Sequence, residues 1–71
     1  MDEEKLDEEF DKAAKMWVEA LMSGVLTEEA LDEFFKKFRK VFEMEDPVQK
    51  KLYLIRCYQE CLWRSILKTH D

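Results

Sequence analysis

One glycine, one proline and one histidine occur in 71 residues, with only two cysteines. Each scarcity excludes something. Sheet-rich folds need frequent turn residues between β-branched runs, so so few breaking residues argue for long helices. There is no glycine-rich phosphate loop, no nucleophile elbow and no Ser/His/Asp set. Cys57 and Cys61 could hold half of a tetrahedral metal site, but the one histidine, His70, lies at the C-terminal end, so the missing ligands would have to come from a second chain. Neither an enzyme nor a bound cofactor is expected. No run of about 20 apolar residues is present, so nothing is expected to span a membrane. The opening MDEEKLDEEFD is acidic, whereas a secretory leader starts basic and turns apolar. Two cysteines in a chain without such a leader point to free thiols and a cytoplasmic setting.

What remains is apolar and charged in nearly equal measure, at 46% and 41% of residues, with 13% aromatic. That mixture can pack a core and argues against disorder. The net charge is −5, divided unevenly: residues 1–35 carry −9 and residues 36–71 carry +4. An acidic total disfavours nucleic acid, which needs a basic footprint. The asymmetry suits an acidic first helix lying against a more basic last one, or association between copies.

Three helices follow from the apolar spacing. The first is expected over about residues 3–23, with Leu6, Phe10, Ala13, Trp17, Ala20 and Leu21 on one face and Ala14, Val18 and Met22 widening it. Acidic residues crowd its first turns, where the helix dipole favours them. Gly24 is placed for a left-handed C-terminal cap. Thr27 reads as the N-cap of a second helix over about 28–44, with Leu26 and Leu31 spaced for a hydrophobic staple. Ala30, Leu31, Phe34, Phe35, Phe38, Val41 and Phe42 make its apolar side. Asp46 then caps and Pro47 opens a third helix, over about 47–68. Connections this short join antiparallel neighbours. The expected fold is all-α, an up-down-up three-helix bundle in one domain, with dimerisation through helix three as an option.

Helix three is apolar on more than one side. Val48, Leu52, Ile55, Leu62 and Ile66 project as one stripe, with Tyr58 and Trp63 on its flanks, and this stripe is expected to face the core. The opposite face holds Lys50, Tyr53, Leu54, Cys57, Cys61, Arg64 and Lys68, apolar in the middle and basic at both ends. It is expected to bind a protein partner or a second copy. Cys57 and Cys61 are four residues apart, too far for a disulfide within one helix turn. They are expected to be small contact residues. Glu19 and Glu60 are the isolated acids, without an evident partner.

Some short stretches resemble known patterns. Glu9-Phe10-Asp11-Lys12-Ala13-Ala14 resembles the opening helix of acyl-CoA-binding proteins, although that family's second helix, with its tyrosine and lysine, has no counterpart. Thr27 to Phe34 resembles a tetratricopeptide repeat in one copy, where about three are needed for stability. Cys57-x-x-x-Cys61 is similar to half of the twin motif of small mitochondrial intermembrane-space proteins. None assigns a family. Helices one and two also resemble idealised designed helices, with Glu/Lys/Asp surfaces, one capping Thr and one terminating Gly. An engineered scaffold presenting a natural third helix would give this contrast, and so would a natural chain with one constrained helix.

The functional expectation is a non-catalytic protein-interaction module, or engineered scaffold, working through helix three and self-associating. The alternative is a bundle that binds a small hydrophobic ligand among Trp17, Phe38, Tyr58 and Trp63, or docks on a lipid surface.

Overall fold

The computed structural model describes residues 3–69, with side chains as far as Leu67. Helix α1 spans Glu3–Met22 and α2 spans Glu28–Phe38. A 3-10 turn, Arg39–Glu43, extends α2, and α3 spans Pro47–Thr69. The bundle is all-helical and runs up, down, up.

The boundaries follow local chemistry. At the end of α1, the Gly24 N–H donates to the Leu21 carbonyl and the Val25 N–H to the Ala20 carbonyl. These are the two bonds of a Schellman cap. They need a left-handed residue, which Gly24 supplies with φ 76°. Thr27 caps α2 as expected: its backbone is extended and its hydroxyl accepts from the Ala30 N–H at 3.2 Å. Asp46 caps α3, accepting the Val48 N–H at 3.1 Å on its carboxylate. Pro47 takes the first helical position, where a missing N–H costs nothing.

The second helix departs from expectation after Phe38, where α geometry tightens to 3-10. Of the four apolar residues there, Phe38, Val41 and Met44 are spaced by three. Three residues per turn keeps that series on one side. Val41 is buried and the other two are half-buried, while Phe42 is turned outward.

Helix α3 is the central element, with α1 on one flank and α2 on the other. Lys51 pairs with Asp7 near the starts of α3 and α1, and Phe10 meets Tyr58 further along. These contacts make α1 and α3 parallel. Thr27 at the start of α2 bonds Ser65 late in α3, while Lys37 pairs with the earlier Glu60, so α2 runs antiparallel. Between α1 and α2 the backbones stay apart, and only long side chains bridge them, led by Trp17 stacked on Phe34 at 4.7 Å. The radius of gyration, 12.6 Å, exceeds the roughly 11 Å of a fully compact chain this long. The bundle is open on one side.

The core corrects the reading of helix three. Cys57 and Cys61 are each 2% exposed and cluster with Ala30 and Phe34. Tyr53 packs against that cluster and Leu54 is half-buried. The face expected to lie opposite the core is the one that makes it. Of the large-residue stripe expected inside, Val48, Ile55 and Leu62 are half-buried, whereas Leu52 and Ile66 are exposed. The reason is packing distance. Cys57, Cys61 and Ser65, spaced by four, form a low ridge that lets α2 approach with Ala30 in contact, and Ser65 has no exposed surface at all. Large aliphatic side chains in that seam would hold the helices apart.

Candidate docking surface

Seven residues of α3 were singled out from sequence, and the structure separates them. Cys57 and Cys61 are buried, and Tyr53, Leu54 and Lys50 half-buried. Arg64 is exposed at the groove between α2 and α3, beside Glu33 and Lys36. Lys68 belongs to α3, but its side chain lies outside the described residues. They do not form one exposed face. Burial pushes both thiols upward from their ordinary pKa; the Glu60 charge adds to this at Cys57, while the Trp17 indole N–H and Arg64 oppose it at Cys61. The Trp17 N–H is itself buried and makes no hydrogen bond of good geometry. A neutral, enclosed thiol is a poor nucleophile and a poor metal ligand. Among the described residues, no group of three or more His, Cys, Asp or Glu side chains is placed to hold a metal ion. No helix among them is long and apolar enough to cross a membrane.

The aromatics sort differently from expectation as well. Trp17, Phe34, Phe38 and Tyr58 pack ring on ring, with Phe34 at 5.5 Å from Tyr58 and 5.8 Å from Phe38. Trp63 is 63% exposed on the outer side of α3, so these rings do not enclose a shared chamber. Glu60 proves to have a partner, Lys37.

Among the described residues, seven of the eleven exposed large apolar side chains instead mark two surfaces. On the first, Met16 of α1 and Leu62, Trp63 and Ile66 of α3 line an outer groove together with Glu9, Lys12 and Gln59. On the second, Phe35 and Phe42 are 52% and 76% exposed, and Val18 and Leu21 are 44% and 41% exposed. Leu21, Phe35 and Phe42 were expected on the apolar faces of their helices, and Val18 was expected to widen one. Helix geometry shows where they lie. Lys37 and Glu33 mark the edge of α2 turned to α3; at about 100° per residue, Phe35 falls on the other edge, and Phe42, within the 3-10 turn, sets its ring edge-on to Phe38 at 5.7 Å. On α1, Glu9 and Met16 mark the edge that lines the outer groove with α3, and Ala14, Val18 and Leu21 fall on the edge away from it. The two apolar edges face the open side of the bundle, where α1 and α2 do not meet. Together they form a valley whose floor is the Trp17–Phe34–Tyr58 stack.

Charged groups rim the valley. Glu3, Asp7 and Asp11 gather round Lys51, whose pKa rises because Asp7 hydrogen-bonds its ammonium and all three carboxylates attract it. Along the edge of α2, Glu28 and Arg39 share the line of Phe35, while Asp32 lines the groove between α2 and α3 with Glu33 and Lys36. Sequence reasoning missed this surface because four phenylalanines in nine residues read as core. The usable signal was their spread: Phe34 and Phe35 lie about 100° apart, so one helix face cannot bury both fully. Comparison with protein-family models, curated proteins and solved structures returned no match.

Proposed function

We propose that the chain is a non-catalytic protein-interaction module whose docking surface is the α1–α2 valley. The observation that carries this is the exposure of Val18, Leu21, Phe35 and Phe42 along the one side where two helices fail to close. Large apolar patches on small domains mark interaction surfaces, and a valley between two splayed helices is a seat for a third. The thiol face proposed from sequence is replaced by this one, because its middle is occupied by the core.

The test is an amide NMR titration of the labelled chain with amphipathic helical peptides of several charge patterns. Shifts concentrated on residues 14–21 and 31–42 support the valley. Shifts confined to Met16, Trp63 and Ile66, or none with any peptide, would remove it.

Self-association is a second reading, favoured by the outer side of α3. Leu52, Gln59 and Ile66 recur there every seven residues, all exposed, with Trp63 beside them. A heptad-spaced row is the pattern of a helix–helix seam. Sedimentation equilibrium of the chain against its Trp63→Glu variant tests it: a monomer in both cases leaves no role for the row.

A further inference from the structure

Five exposed residues on the outer side of α3 recur at steps of four, three, four and three: Leu52, Arg56, Gln59, Trp63 and Ile66. That is the spacing of a helix–helix seam, and its order is close to a palindrome about Gln59. An apolar residue stands seven positions away on each side, while Arg56 and Trp63 stand three before and four after. A second copy of α3, turned end for end about Gln59, therefore sets Leu52 against the partner's Ile66. The guanidinium of Arg56 comes over the indole of the partner's Trp63, a cation–π pair. The two Gln59 amides meet, each offering a donor and an acceptor.

The α1 edge of the same groove fits the same axis by an independent route. Phe10 meets Tyr58 with ring centroids 6.1 Å apart, so in these parallel helices the level of Gln59 falls near Asp11 of α1. Glu9 and Lys12, which line the groove with Gln59 and Trp63, lie on either side of that level. Both are exposed, and among the described residues neither forms an ion pair within the chain. A two-fold axis between them brings Glu9 of one copy to Lys12 of the other, twice. A parallel pairing would instead set Glu9 on Glu9, Lys12 on Lys12 and Arg56 on Arg56.

We infer that the groove between α1 and α3 is the two-fold interface of a homodimer in which the two α3 helices run antiparallel about Gln59. The inference rests on self-association through the outer row of α3 and adds its orientation, its axis and the residues that meet across it. Every complement the row needs is supplied by the row itself, which makes a second copy its occupant. The apolar contacts of Leu52, Trp63 and Ile66 hold the copies together; the exposed ion pairs fix register more than affinity. The α1–α2 valley, on the edges turned away from this groove, stays open in such a dimer.

Sedimentation equilibrium of the parent chain and of Trp63→Glu tests the association, and disulfide trapping tests the orientation. Gln59→Cys, Leu52→Cys and Ile66→Cys are made singly and oxidised beside the parent chain, whose own thiols are buried. In the antiparallel pair position 59 faces itself. The two copies of position 52 lie twice seven residues apart along the seam, about 21 Å, far beyond the Cα separation of about 7 Å that a disulfide can span. Trp63→Glu is expected to weaken association at least about tenfold. Gln59→Cys is expected to link to itself; Leu52→Cys and Ile66→Cys are expected to link only when mixed. Glu9→Lys and Lys12→Glu should each weaken association, and the double exchange should restore it. Circular dichroism checks that each variant is folded. Trp63-dependent association in which Gln59→Cys fails to link, Leu52→Cys links to itself as readily, or the double exchange restores nothing overturns the antiparallel axis and leaves the interface standing. Association that ignores Trp63→Glu, or a monomer at every concentration, removes the self-association reading and the inference with it.

Discussion

The seam between α2 and α3 and the valley between α1 and α2 are built from opposite materials. The seam uses small residues, with Ala30 at 1% exposure against Cys57, Cys61 and Ser65 at 2% or less, so two backbones come close. It is then fastened by polar contacts at both ends: the Thr27 N–H donates to the Ser65 hydroxyl at 3.1 Å, and Lys37 pairs with Glu60. The valley uses large residues, Phe35 and Phe42 among them, and has no such fastening among the described contacts. Close approach needs small side chains plus directional bonds; large side chains without them leave a gap that another helix can fill. One helix, α2, serves both, with Phe34 turned inward and its neighbour Phe35 outward.

The sharpest way to break that comparison is to truncate the two neighbours in turn. Phe34 is 5% exposed and stacks on Trp17, Phe38 and Tyr58. Phe34→Ala removes the centre of the aromatic cluster and is expected to cost about 3–5 kcal/mol. That is most of the stability of a domain this small, so the variant should be largely unfolded. Phe35 is 52% exposed, and Phe35→Ala is expected to cost about 1 kcal/mol or less. Urea denaturation measures both. Equal losses would mean that Phe35 belongs to the core and the valley is closed in solution.

The next contrast concerns the fastening itself. Ser65 has no exposed surface and accepts the Thr27 N–H across 38 positions of sequence. Ser65→Ala leaves that half-buried donor without its acceptor, at an expected cost of about 1–2 kcal/mol. Hydrogen exchange localises the loss: the Thr27 amide should exchange faster while amides of α1 keep their protection. Unchanged exchange at Thr27 would show that the contact carries no weight.

Most of the fold was legible in the chain because caps and periodicity are local. Gly24, Thr27, Asp46 and Pro47 set the helix ends, and the alternation of apolar and charged residues set the rest. What was not legible was which side of α3 faces inward. Periodicity ranks faces by apolar size, and by that measure Val48, Leu52, Ile55, Leu62 and Ile66 outrank two cysteines and a serine. The structure ranks faces by how near a neighbouring backbone can come. That depends on small residues at steps of four, a signal present in Cys57, Cys61 and Ser65, of which the two cysteines were expected to be small contact residues on the outer face. The docking surface was illegible for a related reason. Whether α1 and α2 touch is decided by both helices packing on α3, so no window of sequence contains the valley.

The seam should also show itself at high pH, and the valley should not. Burial raises the pKa of Cys57 and Cys61 above the reference value of 9.0, which stands for the unfolded chain. A thiol held protonated in the fold favours folding fully while both states are protonated. Above pH 9 the unfolded chain releases its protons first, so it binds fewer protons than the native state and stability falls as pH rises. Tyr53 and Tyr58, also raised by burial, extend the fall above their reference value of 10.0. Under reducing conditions, the unfolding free energy is expected to be level from pH 7 to 8.5 and to bend downward from about pH 9. A Cys57→Ala/Cys61→Ala variant, whatever its baseline stability, is expected to lose the bend between pH 9 and 10 and keep the tyrosine portion above it. Val18→Ala, on the exposed side of α1, should shift the curve without changing its shape. If the cysteine variant bends as the parent does, the thiols are not enclosed, and the seam is looser than its small residues imply.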